Sequence, residues 1–376
     1  MKKNKFIFAI TILVMSISVY IYYFKKSNTE ISFAINHHKD RTTYTTSDEY
    51  SLFNVANTKR HFFTSIMKDE TMLGKVLQVD KKDGETKQIY DTKFNGGGVR
   101  NITANDEYVI WLDNNGVDYL NELVIYDIKK EKVIKTYKDS EKRNINAAFI
   151  KNQTIYWIEE DNTKIVNQEP SNNESDTMKL GTYSATIIGY DIVTGNQKKI
   201  DTIQTVHYPN ESLYFSENKM WYIDNRKYDE KAIIKKLDLK SGKLETYKTQ
   251  FQFIGHLKPV DDENVAFFEY TIHNSPEGLL LLNTESNKIK LLDANEDDTG
   301  AGYDGKGLIF SQNKTYKISS FNKRKFNDEI QMKNEEDLLL VTNGPLFGLE
   351  FVTKQKNSIH PNQIVDWHVE NLNWKE

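Results

Sequence analysis

Acidic and amide side chains cluster near residue 295, where their oxygen atoms could bind a cation. The cluster consists of Asp293, Asn295, Asp297, Asp298 and Asp304. Calcium takes about six to eight oxygen ligands, so this alternating pattern is a candidate calcium loop. Such a loop normally has glycine at its sixth position and glutamate at its twelfth. Asp298 occupies the sixth position and glutamate is absent from the twelfth, so we favour a solvated acidic loop and assign no metal-binding residue.

Other residue types capable of chemistry show no catalytic arrangement. The 8 histidines lack the His-Glu-x-x-His spacing of a metal site, and no Ser-His-Asp grouping is evident. The run Gly96-Gly97-Gly98 lacks the following helix that a phosphate site requires, so tight backbone turning explains it better. The segment Asp113-Asn114-Asn115-Gly116 is most simply a turn. We therefore predict no catalytic residue, no cofactor-binding residue and no cofactor.

The polar segment Glu159 to Gly181 is the longest interruption between patterned segments. It contains Pro170 and joins two predicted strands. A disordered loop is the simplest interpretation. A mobile lid or a partner-docking loop is the functional alternative, because long loops on rigid scaffolds often carry function.

Short amphipathic strands are the elements that would position any site. The chain has 21 Tyr and 19 Phe, although only 38% of its residues are hydrophobic. Tyrosine and phenylalanine favour half-buried strands. No stretch beyond residue 24 keeps a helical period over the length of a helix.

The first recurring landmark is an apolar strand with an aromatic centre and an acidic end. Trp111, Trp157 and Trp221 fall at equivalent positions within it, which favours packing between repeats over a stacking platform for sugars. The clearest copies are Val109 to Asp113, Ile155 to Glu159, Met220 to Asp224 and Val265 to Glu269.

The second landmark is a strand that ends in an acidic or amide residue followed by a turn. These ends are separated by about 45 to 47 positions, apart from one insertion, which is close to the spacing of propeller blades. The Asp or Asn side chain bonds the turn backbone and glycine accepts a positive φ, so a hairpin between the two outer strands of a blade is expected. The ends are Asp80, Asp127, Asp191, Asp238 and Asn283.

The repeats predict an all-β fold, a β-propeller of about seven four-stranded blades. Six blades with an irregular C-terminal extension is the alternative. The segment Ile31 to Ile35 could supply a closing strand to the last blade. The predicted blades cover residues 50–91, 99–137, 145–200, 205–247, 252–293, 300–332 and 337–372.

The two landmarks resemble those of TolB-like and dipeptidyl-peptidase-type β-propellers. The resemblance covers residues 50–330 and rests on the repeated pattern. It implies a propeller fold and little about function, because propellers host many functions. Related peptidases carry a hydrolase domain beside the propeller, but this chain lacks a Gly-x-Ser-x-Gly elbow and the length for such a domain, so hydrolase activity is not implied.

The segment Phe6 to Phe24 carries no charge and predicts an N-terminal transmembrane helix. Its 19 residues would span about 28 Å, close to the hydrocarbon core of a bilayer. A cleaved signal peptide has a shorter apolar core and a small-x-small site, whereas this run ends in bulky aromatic residues followed by Lys25 and Lys26. We therefore expect a retained signal-anchor, with cleavage as the weaker alternative. The basic residues before the span favour a cytoplasmic N-terminus and an extracytoplasmic bulk.

Charge and cysteine content narrow the function classes. The net charge is −4, from 50 basic and 54 acidic side chains, and the pI is about 6.1. A nucleic-acid binder usually has a basic face and a high pI, so that role is disfavoured. Cysteine is absent from the sequence, which excludes disulfides and thiolate metal sites.

These features divide the chain into a cytoplasmic tip and signal-anchor (1–27), a stalk with a closing strand (28–49) and a propeller domain (50–376). The preferred function is a membrane-anchored binding or scaffolding module of a bacterial cell envelope. Its expected partners are membrane lipid, through the anchor, and a protein or envelope component. The alternative is an enzyme with its active site in the central funnel, acting on a carbohydrate or a lactone.

Overall fold

All regular secondary structure in the described part of the chain is β-strand. No helix among the described residues is long and apolar enough to cross a membrane, and the predicted anchor, Phe6 to Phe24, lies outside them. The computed structural model describes residues 31–37, 42–46, 50–68, 71–94, 97–115, 121–138, 143–166, 182–206, 213–216, 218–225, 230–259, 263–270, 276–293, 301–303, 307–312, 315–322, 325–332, 338–343, 349–354 and 361–367.

Six sheets each contain four consecutive antiparallel strands. Sheet 1 comprises β3 (Tyr50–Asn57), β4 (His61–Lys68), β5 (Thr71–Asp80) and β6 (Thr86–Asp91). Sheet 2 comprises β7 (Gly98–Ala104), β8 (Tyr108–Asn114), β9 (Asn121–Asp127) and β10 (Lys132–Lys138). Sheet 3 comprises β11 (Arg143–Lys151), β12 (Thr154–Val166), β13 (Thr182–Asp191) and β14 (Gln197–Val206).

The next three sheets repeat this order. Sheet 4 comprises β15 (Leu213–Ser216), β16 (Lys219–Asp224), β17 (Ile233–Asp238) and β18 (Leu244–Lys248). Sheet 5 comprises β19 (Phe253–Pro259), β20 (Asn264–Tyr270), β21 (Pro276–Asn283) and β22 (Lys288–Asp293). Sheet 6 comprises β23 (Ala301–Tyr303), β24 (Gly307–Gln312), β25 (Thr315–Asn322) and β26 (Lys325–Met332).

Sheet 7 joins the two ends of the chain. Its strands are β1 (Ala34–His37), β2 (Thr42–Thr45), β27 (Leu338–Asn343), β28 (Leu349–Lys354) and β29 (Pro361–Trp367), in the order β1-β2-β29-β28-β27. The strand that pairs with β29 is β2, with Thr42 opposite Asp366 and Thr45 opposite Gln363. The sequence pattern placed the closing strand at Ile31 to Ile35, whereas this stretch overlaps only the start of β1, which lies outside β2.

The first strands of successive sheets contact one another in chain order, from β3 to β7 and onward to β27. Strands β28 and β29 of sheet 7 contact β3 of sheet 1, so the succession returns to its start. Such an arrangement buries both faces of each sheet, which a single four-stranded sheet cannot do alone.

The hairpin turns between the third and fourth strands follow the predicted chemistry. A side-chain oxygen of Asp80 accepts the backbone N–H of Lys82 at 2.9 Å, and Asp238 accepts that of Lys240 at 3.0 Å. Gly84, Gly195 and Gly242 each have a φ of +73°, which favours glycine because it lacks a Cβ. The predicted capping by the terminal Asp is confirmed at these turns.

The cores lie between neighbouring sheets, and here one sequence inference was wrong. Trp111 packs with residues of sheet 1 and Trp157 with residues of sheet 2, so both face the preceding sheet. Trp221 packs with Phe267 and Leu280 of sheet 5, the following sheet. The three residues are therefore not equivalent: Trp221 is offset by one position, and an offset of one residue in a strand reverses the face. Their predicted role in packing between repeats is confirmed, since all three are buried.

Candidate functional site

Asn121 is the centre of a polar network that links sheets 2 and 3. Its Oδ1 accepts Arg100 Nη2 at 3.0 Å and Asn114 Nδ2 at 2.9 Å, and its Nδ2 donates to Asn144 Oδ1 at 2.7 Å and to the carbonyl of Ile145 at 2.8 Å. These partners come from β7, β8 and β11. Asn121 is only 1% exposed, yet each of its polar atoms has partners, so this buried amide is satisfied and held in one orientation.

Glu122 lies beside this amide and holds two lysines at its edge. Its carboxylate is 3.0 Å from Lys93 Nζ and 3.1 Å from Lys138 Nζ. Burial by itself would raise the pKa of Glu122, but the hydrogen bonds from the two ammonium groups outweigh it and lower that pKa. The carboxylate is therefore ionised at neutral pH, while Lys93 and Lys138 keep 51% and 72% of their side chains exposed.

These groups lie at one end of the β8–β9 pair of strands. Asn114 pairs with Asn121 and Asp113 with Glu122 at this end. Tyr108 pairs with Asp127 at the other end, next to the turn between β9 and β10. The polar groups at the Asn114–Asn121 end, away from the turns between third and fourth strands, form a set that we call the polar junction. Arg143, which is 67% exposed and 3.0 Å from Glu159, borders it on sheet 3. The polar junction comprises Lys93, Arg100, Asn114, Asn121, Glu122, Lys138 and Asn144.

Asp113 connects the polar junction to sheet 1. Its carboxylate accepts Tyr90 Oη at 2.6 Å, the backbone N–H of Lys93 at 3.2 Å and the hydroxyl of Thr92. Burial and the adjacent Asp113 carboxylate raise the pKa of Tyr90, so the phenol stays protonated and donates. The prediction that Asp113 is part of a simple turn is incomplete, because its side chain, which is completely buried, reaches the last strand of the preceding sheet.

A second polar network lies between sheets 3 and 4. Lys235 Nζ is 2.9 Å from Asp201 Oδ2 and 3.0 Å from Asp224 Oδ2, and Tyr222 Oη donates to Asp201 at 2.9 Å. Asp224 also accepts the backbone N–H of Gln204 at 3.0 Å. Lys235 is 7% exposed, so its ammonium group is buried between two carboxylates. We call Asp201, Tyr222, Asp224 and Lys235 the Lys235 network.

Asparagine side chains also tie first strands to neighbouring sheets. Asn54 Oδ1 accepts the backbone N–H of Asn101 at 3.3 Å, and Asn225 Oδ1 accepts that of Ile254 at 3.2 Å. Asn54 and Asn101 have φ values of 50° and 55° and lie at register shifts of β3 and β7. Asparagine tolerates this left-handed region better than most residues, and bulges of this kind redirect side chains at the edge of a sheet.

The remaining sequence-based candidates are only partly covered by the structure. Asp293 ends β22, whereas Asn295, Asp297, Asp298 and Asp304 lie outside the described residues. Within the described part of the chain, no group of three or more His, Asp or Glu residues is placed to hold a metal ion.

The structure describes Gly97 of the glycine run and the first part of the long polar segment. The backbone N–H of Gly97 donates to the carbonyl of Phe94 at 3.2 Å, as in a turn, and a Cβ on Gly97 would lie 2.2 Å from the carbonyl oxygen of Asn114. The segment Glu159 to Gly181 does join two strands of one sheet. However, it does not begin as a loop, because β12 continues to Val166 and pairs with β13 as far as Thr182. Residues 167–181 lie outside the described residues.

Sequence reasoning missed the buried amide and the buried lysine. Asn121 and Lys235 belong to no motif, and most of their partners come from strands about 20 to 35 positions away. One signal was available: Asp113 and Asp224 both end the first landmark, and in both cases this aspartate contacts the last strand of the preceding sheet.

A succession of four-stranded antiparallel sheets whose first strands contact one another in turn is the architecture of a β-propeller. The chain matches no protein-family model, and a comparison with curated proteins gives no match. Solved structures match the fold well. Oligogalacturonate lyase in complex with manganese aligns with a TM-score of 0.57 and 10% identity over 91% of this chain and 98% of that chain.

Two other solved structures support the same fold. Acylaminoacyl peptidase in complex with Z-Gly-Gly-Phe-chloromethyl ketone aligns with a TM-score of 0.58 and 10% identity over 86% of this chain, which spans only 52% of that chain. The structure of U3-55K aligns with a TM-score of 0.52 and 7% identity over 90% of this chain and 98% of that chain. The expected propeller fold is therefore confirmed, and at these identities the likeness concerns the fold alone.

Proposed function

We propose that this chain is a seven-bladed β-propeller that is held at a membrane by Phe6 to Phe24 and binds an envelope component carrying acidic groups on the extracytoplasmic side. The observation that carries the binding role is the polar junction. Its buried amide is already fully bonded, while the side chains of Lys93, Lys138 and Arg143 are at least half exposed around it.

Rigid support with exposed donors is the arrangement expected of a binding surface. Side chains held by surrounding hydrogen bonds lose little conformational freedom when a ligand binds, which favours affinity. The most exposed charged groups at this place are cationic: Lys93, Lys138 and Arg143 keep 51%, 72% and 67% of their side chains exposed, whereas Glu122 and Glu159 keep 8% and 21%. These exposed cationic groups favour a ligand with carboxylate or phosphate groups.

Seven blades are supported by the seven sheets and by the contacts that run from sheet 1 round to sheet 7 and back. In this proposal β2 supplies the outer strand of the last blade and β1 a fifth strand outside it. Building the last blade from strands of both ends of the chain joins those ends and closes the ring of blades.

Membrane attachment is supported by the length, hydropathy and lack of charge of Phe6 to Phe24. Protease treatment of intact bacterial protoplasts tests the topology. We expect residues 28–376 to be digested from outside; full protection would contradict the extracytoplasmic placement.

Binding is tested with the full chain in detergent, using polygalacturonate as the acidic probe and dextran as the neutral one. We expect binding of the acidic probe alone. The variant Lys93→Met/Lys138→Met/Arg143→Met should bind about tenfold more weakly, since exposed ion pairs contribute about 0.2–1 kcal/mol each.

The control variant is Lys129→Met/Lys132→Met/Lys240→Met, whose changes lie at the hairpin-turn end. An equal loss in both variants would contradict a site at the polar junction. A fall in the chain length of either probe during incubation would instead support the alternative, an enzyme acting in the central funnel.

A further inference from the structure

The part of the propeller that follows the anchor is fixed to one particular sheet. Phe33 is 5% exposed and packs in the core cluster of sheet 1 with its ring centroid 5.4 Å from that of Phe62. A Cβ on Gly84 would lie 2.6 Å from the carbonyl oxygen of Phe33. Tyr44 Oη donates to the carbonyl of Lys81 at 3.2 Å. The N-terminal segment therefore lies against the hairpin turn of sheet 1.

Little free chain separates this attachment from the predicted anchor. Ile31 already packs against the same core cluster, and the anchor ends at Phe24. The intervening residues 25–30 can span at most about 21 Å when fully extended. A domain of this size has a radius of gyration of about 20 Å, so its far side lies roughly 40–50 Å from the attachment.

From this geometry, and resting on the proposed membrane anchor, we infer that the turn sector of sheet 1 is the part of the propeller that stays beside the lipid head groups. This sector consists of residues 58–60 and 81–85, whose backbones are joined by the bond from Lys81 N–H to the carbonyl of Arg60 at 2.9 Å. Sheets 3 to 5 are then held away from the bilayer and face envelope components beyond it.

The absence of native cysteine allows a direct test with the full chain in lipid vesicles. Lys82→Cys and Lys240→Cys form a matched pair, because both residues are exposed and both follow the capping aspartate by two positions in equivalent turns. Each variant is labelled with a donor dye, and energy transfer to an acceptor on the lipid head groups is measured.

We expect energy transfer from position 82 to exceed that from position 240 by about threefold, given the reach of the linker and the size of the domain. Insertion of a 20-residue Gly/Ser segment after Asn28 should reduce the difference, because a flexible linker of about 20 residues adds roughly 25 Å of reach. Equal transfer from both positions without the insertion, or stronger transfer from position 240, would overturn the inference.

Flotation of the same vesicles separates this result from failure of the anchor. Protein that floats with the lipid but transfers equally from both positions overturns only the orientation. Protein that does not float overturns the proposed anchor, and the orientation with it.

Discussion

Polar side chains connect sheet 1 to sheet 2 at the Asp113 contact and sheet 3 to sheet 4 at the Lys235 network, but the groups that form the two connections differ. Each places a buried aspartate from the end of a second strand against the last strand of the preceding sheet. Asp113 is held by two hydroxyl groups and a backbone N–H. Asp224 instead shares a buried ammonium group, Lys235, with Asp201.

The tyrosine lies on the preceding sheet in one region and on the following sheet in the other. At the first, Tyr90 of the preceding sheet donates to the aspartate of the following one; at the second, Tyr222 of the following sheet donates to Asp201 of the preceding one. The repeat therefore places a polar contact at the same position between two sheets, but different side chains form that contact in the two regions. Because the two solutions differ in buried charge, they should respond differently to the loss of a single group.

The largest effect is expected from Lys235→Met. This change leaves Asp201 and Asp224 without the ammonium group between them, and breaking a buried ion pair costs about 3–5 kcal/mol. The midpoint of urea unfolding should fall accordingly. Lys240→Met, at an exposed turn position of the same sheet, is the control and should have little effect; similar losses would show that the Lys235 network is not a stabilising unit.

Asp113→Ala should rank second, with a loss of about 3 kcal/mol. It leaves Tyr90, Thr92 and the backbone N–H of Lys93 without their acceptor, and each unsatisfied buried donor costs about 1–3 kcal/mol unless water replaces the carboxylate. Urea unfolding measures this loss, with Asp83→Ala in an exposed turn as the control. A loss larger than that of Lys235→Met would reverse the ranking of the two regions.

Removing one phenol hydroxyl from each region should produce a smaller difference in stability between them. Tyr90→Phe should cost about 1–2 kcal/mol, whereas Tyr222→Phe should cost less, because Asp201 keeps its ion pair with Lys235. Thermal unfolding of the two variants at neutral pH tests this order. Equal losses would indicate that the buried ammonium gives Asp201 no additional support.

Alkaline pH probes the same tyrosines in the unchanged chain. Burial and the adjacent carboxylates raise the pKa of Tyr90 and of Tyr222 above the unfolded value. A raised pKa contributes stability that is complete below about pH 10 and is lost as the pH rises towards the folded pKa. Between about pH 10 and pH 12 the unchanged chain should therefore lose stability more steeply than Tyr90→Phe. Parallel pH profiles would contradict this coupling.

The smallest effect on stability is expected at the exposed edge of the polar junction. Lys138→Met removes an ion pair with Glu122 in which the lysine is 72% exposed, and such surface pairs contribute less than about 1 kcal/mol. The unfolding midpoint should barely change, whereas polygalacturonate binding should weaken. Lys132→Met, at the opposite end of β10, controls for loss of charge; a large drop in stability for Lys138→Met alone would assign this residue to the fold.

Much of the fold could be predicted because its signals are local. The turn after Asp80, for example, depends on that aspartate and on Gly84, which lie in one short segment. The bounds of sheets 1, 2, 5 and 6 lie within one residue of the predicted repeats, whereas sheet 3 continues to Val206 and sheet 4 begins only at Leu213. The face of Trp221 could not be predicted from the landmark alone, because a shift of one position in a strand reverses its side chain.

The all-β repeat, the hairpin chemistry and the case for an anchor could be read from the amino-acid sequence, since each depends on residue types within a few positions of one another. The contacts between sheets, in contrast, are visible only in the folded chain. Asn121 meets Asn144, and Lys235 meets Asp201, only after separate sheets have packed side by side. The same holds for Phe33, whose contact with sheet 1 connects the predicted anchor to one sector of the propeller. Contacts between distant segments depend on the register and packing of whole sheets, which no local pattern specifies.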